Sequence, residues 1–365
     1  MREQITYILG AGASYHSIPI VNTMNQRMLM FLNLFKEFKN YKDSPGTVFI
    51  SAQASLKDMY KPYLHQGFEK YREVVEEAVK HYTVDTYARK LWLQNKKIKL
   101  KTLKEFLCLF FAFEQSSRSD KLPNIYDKQS EYGVNETHIH TPLDYRYDVF
   151  MATLLDRDML LPENISIISW NYDYQLELAY MNYADCNIEE SIKRLFIYPG
   201  IEDVSESKII KLNGSAIQRG WKENNNWVTW PTENIHSSDF YSIILSNSLT
   251  EHKSIEYSKS KTLIDFAWEK YDYKNRSVLR AKEIIANTSK LIIIGYSFPN
   301  FNKSIDASLF SKFNASKCRI SIQCPENDYE SIEQNILSLG VNMAYAHIEK
   351  HKTLDQFYIP ASQLI

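Results

Sequence analysis

The chain has 365 residues, enough for about two domains on the usual length scale. Its 44% apolar and 24% charged residues match an ordinary globular protein and exclude wholesale disorder or a fibrous architecture. The 43 basic and 44 acidic residues leave a net charge of −1, without the basic surplus of a protein built to neutralise a nucleic-acid backbone, so a small-molecule or protein partner is expected.

The start, Met1-Arg2-Glu3-Gln4, leads into Ile5-Thr6-Tyr7-Ile8-Leu9, a buried-strand pattern rather than a signal peptide. That strand ends in Gly10-Ala11-Gly12-Ala13-Ser14, and a helical pattern with Met24, Met28, Leu29, Leu32 and Phe35 follows. Strand, glycine turn and helix are the opening of a nucleotide-binding unit. From about 31 to 160 the pattern is mostly helical, over Lys70 to His81, Thr86 to Trp92 and Leu103 to Phe113, which predicts a large helical insertion over the sheet edge. Ser116 to Asp120 and Gln129 to Asn135 are polar loops.

Further apolar runs of strand length are Ile165 to Ser169, Leu195 to Tyr198, Ile209 to Leu212, Leu291 to Ile294, Ile320 to Ile322 and Met343 to His347. Helical connections include Ala281 to Ala286 and Tyr329 to Leu339. This alternation predicts an α/β fold with a doubly wound parallel sheet. The expected division is a sheet domain over 1–30, 160–215 and 274–365, a mostly helical module over 31–159, and a second insertion over 216–273.

No run approaches the roughly 18 to 20 apolar residues of a membrane helix, which predicts no membrane association. The cysteines Cys108, Cys186, Cys318 and Cys324 form no CxxC pair, so reduced thiols in a cytoplasm are expected and a structural zinc is not. His138 and His140 lie in a polar loop without matched carboxylates and are given no metal role. The 25 tyrosines fall mostly at helical spacing or beside strands, as core and interface residues do, and the five lysines between Lys96 and Lys104 read as the solvated face of a helix. Strong direct nucleic-acid binding is therefore not expected.

Ten glycines is well below the roughly 7% average, so the positions that keep one are informative. Four segments stand directly after strand-like runs: Gly10-Ala11-Gly12-Ala13-Ser14, Ser169-Trp170-Asn171-Tyr172-Asp173, Lys211-Leu212-Asn213-Gly214-Ser215 and Gly295-Tyr296-Ser297-Phe298-Pro299. The first could bring backbone N–H groups and the Ser14 hydroxyl onto a pyrophosphate. A dehydrogenase fingerprint is incomplete, because Tyr15 stands where its third glycine belongs and no acidic residue ends a second strand about twenty residues on. Each segment alone reads as an ordinary turn. Together they place small and polar residues at the carboxyl ends of four candidate parallel strands, where such folds bind ligands.

In their order, Gly-Ala-Gly-Ala-Ser, Asn-Tyr-Asp, Lys-Leu-Asn-Gly-Ser and Gly-Tyr-Ser-Phe-Pro resemble the sirtuin-like domain of bacterial antiphage NAD hydrolases. Val84-Asp85-Thr86-Tyr87-Ala88, Arg146-Tyr147-Asp148 and Phe266-Ala267-Trp268-Glu269 are similar to flanking stretches of the same family. The resemblance implies a Rossmann-like sheet with a helical module, NAD as substrate, and cleavage to nicotinamide and ADP-ribose. It implies that Gly10, Ala11, Gly12 and Ser14 form the turn at the NAD phosphates. Asn171 would position water and the nicotinamide ribose, and Asp173 would lie near the carboxamide. Gly214 and Ser215 belong to the third motif, Gly295 and Ser297 to the later phosphate and ribose turn, and Gln323 or Cys324 to the adenosine end.

Asn213 stands where the family has histidine, so the usual base is missing. His16 is the nearby substitute in sequence, with a loop histidine facing solvent or capping a helix as the plainer reading. The missing zinc pairs separate the chain from the deacetylase branch. The expected function is a gated NAD hydrolase that depletes cellular NAD in abortive antiviral defence. Family precedent suggests an oligomer and a sensor partner such as a HerA-type ATPase, a short Argonaute or a nucleotide-processing enzyme. The alternative, motivated by Asn213, is a catalytically silent module that binds NAD or ADP-ribose as a sensor or scaffold.

Overall fold

The computed structural model describes residues 3–37, 68–115, 143–220, 227–228, 261–270, 275–342 and 347–361. The first half of the chain contributes β1 (Ile5–Leu9), α1 (Val21–Glu37), α2 (68–78), α3 (Val84–Leu93), α4 (Lys97–Glu114) and α5 (Tyr145–Leu154). Next come β2 (Ile165–Ser169), α6 (Gln175–Ala184), α7 (Ile188–Arg194), β3 (Ile197–Tyr198), β4 (Ile209–Lys211), β5 (Gly214–Gly220), β6 (Trp227–Val228) and β7 (Lys261–Ile264). The chain continues through α8 (Arg276–Ala286), β8 (Lys290–Ile294), α9 (Lys303–Phe310), β9 (Arg319–Gln323), α10 (Tyr329–Leu337) and β10 (His347–His351).

Contacts divide the chain into two compact units: 1–18 with 143–215 and 263–365, and 19–142 with 216–262. The boundaries differ from the sequence expectation in a consistent way. Helix α1 belongs with the inserted segments and not with the sheet, α5 belongs with the sheet, and the two insertions group together.

The first unit is built on a seven-stranded sheet, order β10-β9-β8-β1-β2-β4-β3, with every neighbouring pair parallel. β1 and β8 are buried at all five positions, as expected for β-branched runs covered on both faces. On one face Val278, Ala281, Ile284 and Ile285 of α8, Leu309 of α9 and Ile332 and Ile336 of α10 pack on Ile8, Ile168, Ile210, Ile293 and Ile320. On the other, the Tyr7 ring meets Phe150 of α5 edge-on at 4.9 Å. Helices on both faces of a parallel sheet make the fold Rossmann-like.

Local chemistry sets the ends of these elements. Asp144 caps α5 by accepting from the Arg146 N–H at 3.0 Å, and Asn275 caps α8 through the Ser277 N–H at 3.1 Å. The Leu195 to Tyr198 run shortens to Ile197–Tyr198, because Leu195 closes α7 and Phe196 takes a left-handed turn at φ +52°. The last strand is His347–His351, which shares only His347 with the predicted Met343 to His347 run; Met343 to Ala346 lie outside the described residues.

In the second unit, α4 buries most of its length, and Phe106 and Phe113 pack on Phe31 of α1 at 5.5 and 4.9 Å. Lys96, Lys97 and Lys101 are exposed, so this lysine run does face solvent. The predicted loops and His138 and His140 lie outside the described residues, as does most of the second insertion. What is described of that insertion includes a small sheet of order β6-β5-β7, with β5 and β6 antiparallel. Among the described residues, no helix is long and apolar enough to cross a membrane.

Candidate active site

The four motifs end on adjacent strands in a single row. Leu9 pairs with Ser169 and with Ile294, Ser169 pairs with Lys211, and Ile294 pairs with Gln323. Each motif therefore leaves the sheet at the same level, at its carboxyl edge. The chain passes from β1 to β2 on one side and later adds β8 on the other, so the turn after β1 sits at the switch point where open α/β sheets bind ligands.

Two turns are interlocked there. The Gly12 N–H donates to the Gly295 carbonyl at 3.0 Å, and a Cβ on Gly295 would lie 2.3 Å from the Ala13 nitrogen. Gly295 also has φ +60°, in the region that L side chains avoid. Gly295→Ala is therefore expected to destabilise the first unit by more than about 2 kcal/mol, since the clash adds to the left-handed penalty of roughly 1–2 kcal/mol; denaturant titration reads this directly. Behind the turn, the Tyr296 hydroxyl donates to Asp306 at 2.7 Å and accepts from Asn302 at 3.1 Å, with burial holding the Asp306 carboxyl well above the usual carboxylate range.

Residues 11–14 form a 3-10 turn, and α1 begins only at Val21, so the turn does not lead directly into an α-helix. The Gly12 and Ala13 N–H groups are already engaged, by Gly295 and by the Gly10 carbonyl. Ser14 is 1% exposed, and its hydroxyl is bonded to the Tyr147 hydroxyl at 2.9 Å, to the Asn171 amide nitrogen at 3.1 Å and to the Asp173 carboxylate. With one hydrogen and two lone pairs, the hydroxyl is filled by those partners in this structure.

Asn171 has both amide hydrogens committed, to Ser14 and to the Gly10 carbonyl at 2.9 Å. A carbonyl only accepts, so the amide orientation is decided by chemistry, and Oδ1 is the atom left for further bonding. Asp173 accepts from the Gln175 N–H at 3.2 Å. Burial pushes its carboxyl up from the ordinary value, against the lowering effects of Lys211 and of the Ser14 hydrogen bond.

Lys211 is buried and lies beneath this loop. Its ammonium donates to the Asp173 carbonyl, pairs with the Glu177 carboxylate of α6 and stands 5.4 Å from the Tyr174 ring centre. The Glu177 carboxyl is raised by burial despite Lys211. Asn213, on the neighbouring strand end, donates to the Trp170 carbonyl at 3.0 Å, while its Oδ1 is buried without a partner. Its backbone carbonyl accepts from the Asp265 N–H at 2.9 Å.

The remaining predicted residues divide. Gly214, at φ +77°, lets β7 approach so closely that a Cβ would lie 1.8 Å from the Leu263 carbonyl, and Ser215 is buried beside it at the start of β5. Both build the support of Asn213. Ser297 is exposed, and its carbonyl accepts from Asn335 at 2.8 Å. The Gln323 amide donates to the carbonyls of Thr353 and Gln356 and accepts from the Tyr358 N–H, which fastens the C-terminal segment. His16 is half-buried with its ring between Tyr15 and Tyr145, at 3.9 and 5.4 Å.

Sequence reasoning missed Lys211 and Glu177 as site residues and took Arg146 and Tyr147 only as flanking likeness. The signal for Lys211 was a lysine closing an apolar strand, which needs a buried partner. Arg146 pairs with Asp144 and donates to the Ala13 carbonyl at 2.8 Å, so it holds the first turn from the α5 side.

Asp173→Asn is expected to raise stability at neutral pH. A carboxyl raised on folding binds more protons in the folded than in the unfolded state between the two pKa values, so its charge is a burden that grows as pH rises through the folded value. Thermal denaturation from pH 4 to 8 checks this, with the gain over wild type expected to widen with pH. Comparison of the chain with protein-family models and with curated proteins gives no match.

Proposed function

We propose that the chain is a sirtuin-like NAD hydrolase, converting NAD and water to nicotinamide and ADP-ribose, and that it acts as the gated toxic effector of a bacterial antiphage system. The observation that carries this reading is the meeting of Asn171 and Asp173 on one buried hydroxyl at the switch point of a parallel sheet. The residues present suit such a substrate. Asp173 is an acceptor in a water-poor setting suited to a cationic nicotinamide, and the unpartnered Oδ1 of Asn213 calls for a hydrogen-bond donor such as a hydroxyl or amide N–H.

Asn171 Oδ1 orients the attacking water, held rigid by the two bonds on its nitrogen. Ionised Asp173 stabilises the positive charge that develops at the ribose as the glycosidic bond breaks. Asn213 does not titrate, so this chain brings no histidine base to that position. Activity is expected to fall on acidification at a higher pH than an ordinary aspartate would give, because protonation of Asp173 removes the needed charge.

Gating by a sensor partner or by oligomer assembly accompanies this reading, since unregulated NAD loss would kill the host. A HerA-type ATPase, a short Argonaute and a nucleotide-processing enzyme are the partner classes to try, in the cytoplasm. The test is chromatography of NAD and its products with the purified chain, alone and with its neighbouring gene product and phage lysate. Nicotinamide and ADP-ribose appearing in equal amounts support hydrolysis. NAD bound by calorimetry with no product in any condition supports instead the silent module that Asn213 favours.

A further inference from the structure

We infer that Tyr147 and Ser14 are positioning residues, a two-hydroxyl relay from α5 that presets Asn171 and Asp173 for the proposed reaction. This rests on the hydrolase reading for its purpose, but its geometry stands on hydrogen-bond valence alone. A serine hydroxyl has one hydrogen and two lone pairs. The Asp173 carboxylate has only lone pairs to offer, so it takes the Ser14 hydrogen. The Asn171 amide nitrogen has only hydrogens, so it takes one Ser14 lone pair, at 3.1 Å. The second lone pair faces the Tyr147 oxygen at 2.9 Å, and Tyr147 is therefore the donor.

The chain of bonds runs Tyr147 to Ser14 to Asp173, with Asn171 locked on the same oxygen. Tyr147 and Ser14 are each about 1% exposed, so water does not compete for the bonds, and in such surroundings each bond polarises the next. Burial keeps the Tyr147 hydroxyl protonated well beyond its ordinary range, so it remains a donor at every working pH. Phe357 closes on the Tyr147 ring edge-on at 4.9 Å and fixes its direction.

The groups facing Asp173 are known from each packed element: Lys211 from β4, Glu177 and the Gln175 N–H from α6, Ser14 from the first turn, and Asp144 and Tyr147 at the head of α5. Among these only Tyr147 reaches Asp173 through a second hydroxyl. Its loss should weaken the hydrogen bond that Ser14 gives and move the titration of Asp173 upward.

The experiment compares Tyr147→Phe, Ser14→Ala and the conservative Ser14→Thr, each with Asp173 intact and in an Asp173→Asn background. Thermal stability across pH 4 to 8 is read first and needs no substrate. Tyr147→Phe is expected to shift the Asp173-dependent part of the stability profile to higher pH, and that shift should vanish with Asp173→Asn. NAD cleavage by the chain with its activator is read second. A roughly tenfold fall in kcat for Tyr147→Phe, the worth of about one hydrogen bond, is expected with a smaller change in KM, with Ser14→Thr close to wild type and Ser14→Ala as low or lower.

Equal effects of Tyr147→Phe in both backgrounds, or an unmoved profile, would overturn the relay even if NAD is cleaved. A wild type that never cleaves NAD while the Tyr147–Asp173 coupling is present would remove the hydrolase reading and leave the relay as measured.

Discussion

On the proposed hydrolase reading, replacement of Asn171 by alanine is expected to lower NAD cleavage on the order of 100- to 1000-fold while leaving the sheet folded, the loss typical of removing one preorganised polar group from a reaction centre. The fold survives because neither partner is orphaned: the Gly10 carbonyl keeps the Ala13 N–H, and Ser14 keeps Tyr147 and Asp173. The loss should lie in kcat/KM, measured by nicotinamide release under activating conditions. Asn171→Asp is the stricter control. It keeps the size but turns oxygen lone pairs toward the Gly10 carbonyl and adds a second carboxylate beside Asp173, so it should be no more active than alanine and less stable. Full activity in either variant would mean that Asn171 lies outside the reaction centre.

Lys211→Met is expected to destabilise the first unit by about 3–5 kcal/mol, the usual effect of removing one member of a buried ion pair. Glu177 is fully buried and loses its counter-ion, and the Asp173 carbonyl loses its ammonium donor. The sign with pH follows from Glu177, whose carboxyl is already raised by burial. Without Lys211 it binds a proton over a wider range, so the destabilisation is smallest in acid and grows as pH rises through its folded pKa. Lys211→Met combined with Glu177→Leu should recover most of the stability, since an apolar pair of similar volume replaces a buried ion pair at little net cost. Activity should not return, because the carbonyl that Lys211 held is still loose. Denaturant titration and NAD turnover on the same three proteins separate the two roles.

Six of the seven strands of the main sheet were legible because each lies in a short, largely β-branched apolar run followed by a turn or helix signal, and burial on both faces demands that composition, whereas the edge strand β10 (His-Ile-Glu-Lys-His) is partly exposed and shares only His347 with its predicted run. The four motifs were legible for a related reason: strands that begin together in a parallel sheet end together, so the residues after each run reach the same edge. The helix after the first turn was less legible. Met24, Met28 and Leu32 announce an apolar face but not which core receives it, and α1 belongs with the insertions.

What the sequence by itself determined is therefore most of the sheet, its carboxyl-edge motifs and the absence of histidine at position 213. The tertiary structure alone decided how the site is wired: that Ser14 is filled from within, that Lys211 and Glu177 sit beneath the loop as a pair, and that Gln323 fastens the C-terminal segment. Strand composition is local and can be read along the chain. A hydroxyl's free valence depends on every partner around it, and the partners of Ser14 lie 133 and 157 residues away.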